Sequence, residues 1–140
     1  LEQSWLRLPK TLYKSDPNWI PHIEQDIRGI FNPAKNKLFR EGAAERWILL
    51  DDKNQVIGRI AAFWSKRYSS GQKQPTGGIG FFECIDNQEA AIKLFDVACE
   101  WLKIQGMEAV DGPINFGEKE AYWGLLVENF IEKNAAKRVM

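Results

Sequence analysis

Glu83 is the residue best placed in this sequence for acid–base chemistry. It interrupts the apolar stretch 79–85 (IGFFECI), and a carboxylate among such neighbours can take a proton from an attacking amine. The plainer reading of the same residue is a strand carboxylate paired with a cation, and Arg59 is the candidate partner. Cys84 follows it, but no histidine accompanies that thiol. Its apolar and acidic neighbours disfavour the thiolate a nucleophile needs, so Cys84 reads as core. His22, after Pro21 in a polar segment, reads as a loop histidine. Asn115 (GPINFG, 112–117) either touches a substrate or bonds its own backbone in a turn. Residues 86–90 (DNQEA) open the strongest helical pattern of the chain, and a helix N-terminus offers N–H groups and a positive dipole end to a phosphate. Asp86 is the expected N-cap there, with Glu89 three residues on completing a capping-box spacing. Gly77, Gly78 and Gly80 are glycine-rich but precede a strand instead of joining strand to helix, so they read as a turn and not a phosphate loop. Among six tryptophans, Trp19, Trp47, Trp64, Trp101 and Trp123 either line an aromatic pocket or pack as core and lid.

The elements that must carry these residues follow from periodicity. Leu1, Trp5, Leu8 and Leu12 recur at helical steps, with Pro9 expected near the helix start or at a kink. Asp16-Pro17 ends that helix, and Asn18-Trp19-Ile20-Pro21 continues extended. Residues 22–42 predict a short helix and then an irregular loop through Asn32-Pro33. From Glu45 the period becomes two. Residues 45–50 and 55–68 flank the polar turn Asp51-Asp52-Lys53-Asn54, an antiparallel hairpin. On its second strand Val56, Gly58, Ile60, Ala62 and Trp64 share one face, and Ile57, Arg59, Ala61 and Phe63 the other. Both faces are apolar enough for a central strand covered on two sides. A loop over 69–78, a strand over 79–85, a helix over 87–105 ended by Gly106, a short strand over 107–110 and a helix over 118–128 complete the reading. This order predicts an α/β (α+β) domain, with a mixed, mostly antiparallel sheet and helices on both faces. Residues 1–130 form the one expected domain, and 131–140 a tail.

Composition narrows the function classes. The 140 residues carry 19 basic and 19 acidic side chains, so no basic excess argues for nucleic acid. Residues 1–70 hold 12 basic and 8 acidic groups, and residues 71–140 hold 7 and 11. This reads as two oppositely charged halves packed together. One His and two unpaired Cys exclude the common zinc constellations, and no metal site is expected. No apolar run reaches the roughly 18–20 residues of a membrane span. A cytoplasmic protein with buried, reduced cysteines is the expectation.

The element order resembles the middle of the GNAT acyltransferase fold, and several phrases are similar to one bacterial GNAT-like group. They are Leu8-Pro9, Leu12-Tyr13-Lys14, Asp16-Pro17-Asn18-Trp19-Ile20-Pro21 and Gly58-Arg59-Ile60-Ala61-Ala62-Phe63. Gly80-Phe81-Phe82-Glu83-Cys84, Gly106-Met107, Gly112-Pro113-Ile114-Asn115-Phe116-Gly117 and Gly124-Leu125-Leu126-Val127 follow, covering about residues 5–130. The resemblance implies that acetyl-CoA or another acyl-CoA lies against the end of strand 79–85. Backbone groups of Phe82, Glu83, Cys84 and Ile85 would hold the pantetheine arm, and Asn87, Gln88, Glu89 and Ala90 the pyrophosphate. Asn115 would touch the thioester arm, and Glu83 would be the base. It also implies a sheet strand before Leu1, two more after Phe130, and larger members with a second GNAT-like half or a homodimer.

One stretch departs from the family pattern. Ile85-Asp86-Asn87-Gln88-Glu89-Ala90 holds no glycine and no cation where active members carry Arg/Gln-x-x-Gly-x-Gly/Ala. An Asp86 cap about 5 Å from a phosphate would repel it by roughly 3 kcal/mol at an effective dielectric near 20. The expected function is therefore N-acyl transfer from acyl-CoA to an amine, with a non-catalytic GNAT-like scaffold or recognition module as the alternative. A transferase drawing its acyl group from aminoacyl-tRNA fits less well, because RNA binding wants a basic face.

Overall fold

The structure, a computed structural model, describes residues 1–117 and the segments 125–126 and 138–139. Helix α1 (Glu2–Leu12) continues on both sides of Pro9 instead of starting there. Proline has no N–H to give the carbonyl four residues earlier, so Trp5 O has no helical partner. The buried Arg59 supplies one: its Nη1 donates to Trp5 O at 2.8 Å. Helix α2 (Glu24–Ile30), a 3-10 turn (Lys37–Glu41) and strand β1 (Gly42–Leu50) follow.

The hairpin forms as its pattern predicts. Strand β2 (Val56–Ser65) pairs antiparallel with β1, and the turn is closed by Asp51 Oδ1, which accepts from the N–H of Lys53 (2.8 Å) and Gln55 (2.9 Å). Strand β2 stops at Ser65, short of the expected residue 68. The Ser65 hydroxyl accepts from the Tyr68 N–H at 3.1 Å and caps a short helix, α3 (Lys66–Ser70). Strand β3 (Thr76–Cys84) begins three residues before the expected start, so the stretch read as a turn at Gly77-Gly78 is strand. The glycines are there because neighbours leave no room. A Cβ on Gly77 would lie 2.6 Å from Leu102 Cδ2, and one on Gly80 only 2.0 Å from Ile114 O.

Helix α4 (Gln88–Ile104) crosses back to β4 (Ala109–Asp111), which runs parallel to β3. The sheet order β1-β2-β3-β4 leaves β2 and β3 central. Cores form on both faces. Trp5, Leu6, Ile27, Ala61, Phe63, Phe81 and Phe116 fill the α1/α2 face, while Ile60, Ala62, Leu94, Ala98 and Leu102 fill the α4 face. The two-faced reading of β2 holds from Gly58 to Trp64, with Gly58, Ile60, Ala62 and Trp64 toward α4 and Arg59, Ala61 and Phe63 toward α1. The helix expected over 118–128 lies largely outside the described residues. Within it, Leu125–Leu126 forms a strand, β5, paired antiparallel with Arg138–Val139 (β6) in the expected tail.

Arg59 is only 3% exposed and makes two bonds to main-chain carbonyls that lie in different elements, Trp5 O and Phe81 O (3.0 Å from Nε). Arg59→Met keeps the bulk and strands both carbonyls, so we expect a loss of about 2–5 kcal/mol in urea denaturation. Arg46→Met, which removes a guanidinium from the more exposed side of Trp5, should cost less than about 1 kcal/mol. Equal losses in the two variants would contradict this assignment.

Candidate active site

Counting by twos along β3 from Gly78 and Gly80, which both face Ile114, would send Phe82 and Cys84 to the α1/α2 face and Glu83 to the other. The opposite is observed. The register with β2 slips between Arg59↔Glu83 and Ala61↔Gly80, so Phe81-Phe82 forms a bulge against Ile60. Phe81 takes φ 57°, a left-handed conformation that costs a non-glycine residue about 1 kcal/mol or more. Three contacts hold it there. Its carbonyl accepts from Arg59 Nε, and its ring lies 5.6 Å from Trp5 and 5.2 Å from Phe31. At the rung opposite, Trp5 Nε1 donates to Ile60 O at 3.2 Å. Beyond the bulge the alternation is inverted. Glu83 shares the α1 face with Arg59, while Phe82 and Cys84 pack with Trp47, Trp64 and Ile79 against α4.

Glu83 there meets the segment that returns from α1. Tyr13, the C-terminal cap residue of α1, donates its hydroxyl proton to Glu83 Oε2 at 2.5 Å. The chain then turns on Asp16, whose Oδ1 accepts from the Asn18 N–H at 2.8 Å, and brings the Trp19 ring to 5.6 Å from the Tyr13 ring. A cavity of about 70 Å³ opens beside Glu83 and Arg59, walled by Leu6, Pro9, Lys10, Trp19, Pro21, His22, Glu24 and Ile27. Burial pushes the Glu83 carboxyl above its ordinary 4.5, against the downward pull of the Tyr13 hydroxyl, the Arg59 guanidinium and His22. The Tyr13 phenol is pushed far above its ordinary 10.0, first by burial and then by the hydrogen bond and charge of Glu83. A carboxylate lifted toward neutrality, aimed into a small cavity, is equipped to accept a proton.

The residues expected to hold a cofactor separate into two groups. Strand β4 pairs with β3 only as far as Gly78↔Asp111, and a last bond joins the Ile114 N–H to Ile79 O at 3.0 Å. Further along, β3 continues without β4. The Ile85 N–H is spent on Ile57 O at 3.0 Å, toward β2. By the alternation of an antiparallel ladder, the Cys84 N–H points to the opposite side, which β4 has left. The Cys84 side chain packs against the α4-face core, and burial raises its thiol. The N-cap of α4 is Asn87 and not Asp86. Asn87 Oδ1 accepts from the Ala90 N–H at 3.0 Å, and its own N–H goes to Ile85 O. The correction has a local cause: β3 ends at Cys84, and the 2.7 Å Asn87–Ile85 bond makes Asp86 the exposed corner of the turn. Of Asn87, Gln88, Glu89 and Ala90, only the N–H groups of Gln88 and Glu89 are left by this cap to meet an anion. Asn115 lies in the segment that crosses β3 at Gly80, between Ile114 and the buried Phe116. Among the described residues no group of three or more His, Cys, Asp or Glu could hold a metal ion, and no helix is long and apolar enough to cross a membrane. Tyr13 and the bulge were missed by sequence reasoning. The adjacent Phe81-Phe82 in an otherwise alternating strand was the available signal.

This sheet, with strands parted beyond β4 and a helix leaving the parted strand, is the fold of the GNAT acetyltransferases. The structure of AAC(6')-Iy with the bisubstrate analogue CoA-S-monomethyl-acetylneamine matches with TM-score 0.56 at 16% identity, over 80% of this chain and 71% of that one. A protein of Pyrococcus furiosus described as an acetyl transferase matches with TM-score 0.50 at 12% identity, over 99% and 89%. In sequence, the chain is 30% identical over 128 residues to protein YghO of Escherichia coli strain K12. It is 29% identical over 131 residues to the bacterial ceramide synthase of Caulobacter vibrioides. These alignments take in 91% and 90% of this chain but 32% and 33% of the relatives, so the chain spans about a third of their length. No family model matches the sequence.

Two measurements test the site's construction. Gly80→Ala forces a Cβ onto the Ile114 carbonyl and should cost about 1–3 kcal/mol in urea denaturation. Gly71→Ala, whose nearest atom lies 3.6 Å away at φ −82°, should be neutral or stabilising by up to about 1 kcal/mol. For Glu83 the folded state holds its proton more tightly than the unfolded chain does. It therefore favours folding below the ordinary 4.5, and that contribution is lost as pH rises through the raised value. Glu83→Gln removes this slope. Its melting temperature, compared with wild type from pH 4 to pH 8, should fall less or not at all as pH rises.

Proposed function

We propose that the chain carries the site of an N-acyltransferase that moves an acyl group from an acyl-CoA thioester to an amine. The observation behind this reading is Glu83: the bulge turns it into a cavity on one face of β3, next to the strand edge that β4 vacates. The GNAT fold supports the acyl-transfer class, and one neighbour of that fold was solved with a CoA-linked analogue. The relative named a bacterial ceramide synthase is consistent, since ceramide is an amide formed on an amine nitrogen.

Bound acyl-CoA would supply an activated acyl carbon. The backbone of Phe82 and Cys84 is offered to its amide-bearing arm as an added strand would be. The first-turn amides of Gln88 and Glu89 are the donors available to its diphosphate. As the amine nitrogen bonds the acyl carbon, the C–S bond breaks and the sulfur leaves as thiolate. Glu83 takes the proton that the nitrogen loses, with Arg59 opposing the carboxylate charge across the strand pair. The cavity of about 70 Å³ has the space of about two waters, enough for an amino group and its first carbons and not for a whole substrate.

One observation favours a second reading, a GNAT-like module without catalysis. The connection from β3 to α4 is three residues long, has no glycine, carries Asp86 within it and has Glu89 just beyond. Calorimetric titration with acetyl-CoA and with S-acetyl-pantetheine separates the two. The proposal expects heat with both ligands, and acyl transfer to small primary amines that Glu83→Gln lowers by about 10²–10⁴-fold while heat with acetyl-CoA persists. No heat with either ligand at millimolar concentration would leave only the non-catalytic reading.

A further inference from the structure

We propose that Tyr13 is a positioning residue for Glu83, holding one oxygen of the carboxylate so that the other is presented to the acceptor amine. This rests on the reading of Glu83 as the base. Three features carry it. The Tyr13 hydroxyl donates to Glu83 Oε2 at 2.5 Å across 70 residues of sequence, so the contact is made by the fold and not by chain proximity. Tyr13 is not among the side chains that wall the cavity, whereas Glu83, Arg59 and His22 are. Its own placement is fixed at both ends: its N–H closes α1 on Pro9 O at 2.9 Å, and its ring rests against Trp19, which the Asp16 turn returns to it.

The arrangement excludes the other role a tyrosine could have here, that of the acid that protonates the departing thiolate. A phenol buried against a carboxylate keeps its proton, and from behind Glu83 it does not face the reacting atoms. It can only donate to Glu83. That bond favours the charged carboxylate, so Tyr13 keeps Glu83 able to work as a base at lower pH than burial alone would allow. The other ionic groups around the pair are Arg59 on β2, His22 and Asp16 on the returning segment, and Lys10 and Glu24 across the cavity. Arg59 and His22 act on Glu83 in the same direction as Tyr13, and Asp16 acts on Tyr13.

Tyr13→Phe tests the assignment, since it keeps the ring on Trp19 and deletes only the donor. In the full chain we expect kcat for acyl transfer to fall about tenfold to a hundredfold, with KM for the amine unchanged. The acid limb of the pH–rate profile should move to higher pH and the alkaline limb stay in place. Loss of the alkaline limb would make Tyr13 an acid, and an unmoved acid limb would remove its hold on Glu83; either result overturns the proposal. A carbon-13 NMR titration of the Glu83 carboxyl needs no substrate. Its midpoint should be higher in Tyr13→Phe than in wild type, and identical midpoints overturn the proposal. If wild type transfers no acyl group at all, the acyltransferase reading fails and the NMR titration still decides whether Tyr13 governs Glu83.

Discussion

A single buried guanidinium on β2 joins helix α1 to the bulge of β3. Arg59 reaches Trp5 O on α1 and Phe81 O on β3 and lies 4.4 Å over the Trp5 ring. Each partner is a group that would otherwise be left unsatisfied in the core, where an orphaned carbonyl costs about 1–3 kcal/mol. Pro9 creates the first need by withdrawing its N–H, and the bulge creates the second by turning the Phe81 carbonyl out of regular pairing. A neutral residue could meet one of these needs. The planar fork of arginine, with donors in several directions, meets both at once.

The bulge in turn brings Glu83 into the same clasp. Without the inserted residue, Glu83 would point toward the apolar α4-face core that holds Leu94 and Ala98. With the inserted residue, Glu83 stands opposite Arg59 and beneath Tyr13. The backbone strain at Phe81 is about the size of one good ring contact, and two such contacts plus a charged hydrogen bond hold it there. Strain, bulge and the Glu83 carboxyl are thus parts of one arrangement. The same shift sends Phe82 and Cys84 to the opposite face, so side chains on one side and backbone amides along the edge have separate tasks.

How much of this was legible beforehand depends on the range of the interaction. The hairpin, the α4 face and the two covered sides of β2 rest on local alternation and were readable from residues 45–105. Glu83 was identifiable as a candidate because a carboxylate in IGFFECI is chemically conspicuous. Its partner was only half foreseen. Arg59 does stand opposite Glu83 and pulls on its carboxyl, but its bonds to two main-chain carbonyls and the Tyr13 hydroxyl on Glu83 have no local signal. Both contacts join positions at least 22 residues apart, and periodicity carries no information at that range. The start of β3 was misplaced for a related reason. Gly77 and Gly78 have the composition of a turn, but they are small because Leu102 and Ile114 press on them, a fact of packing and not of backbone preference.

The helix cap shows how a one-residue change alters a functional argument. With Asp86 as cap, a carboxylate would sit on the amides that a diphosphate needs, and close-range repulsion would decide the matter. With Asn87 as cap, the group on those amides is a neutral carbonyl, and Asp86 stands exposed at the corner. Interactions between exposed charges are screened and usually worth less than about 1 kcal/mol. The objection to anion binding therefore shifts from charge to number of donors. A three-residue connection presents two first-turn amides where a longer glycine-bearing loop would present several. The dipole of α4 adds only about 0.3–1 kcal/mol to whatever those amides hold. For the proposed acyl donor, affinity would then come mainly from the arm along β3, and removing the diphosphate would weaken binding far less than blocking the strand edge. On the proposed reading recognition would fall on the same strand that carries Glu83, and the bulge held by Arg59 sets the geometry of that strand's end.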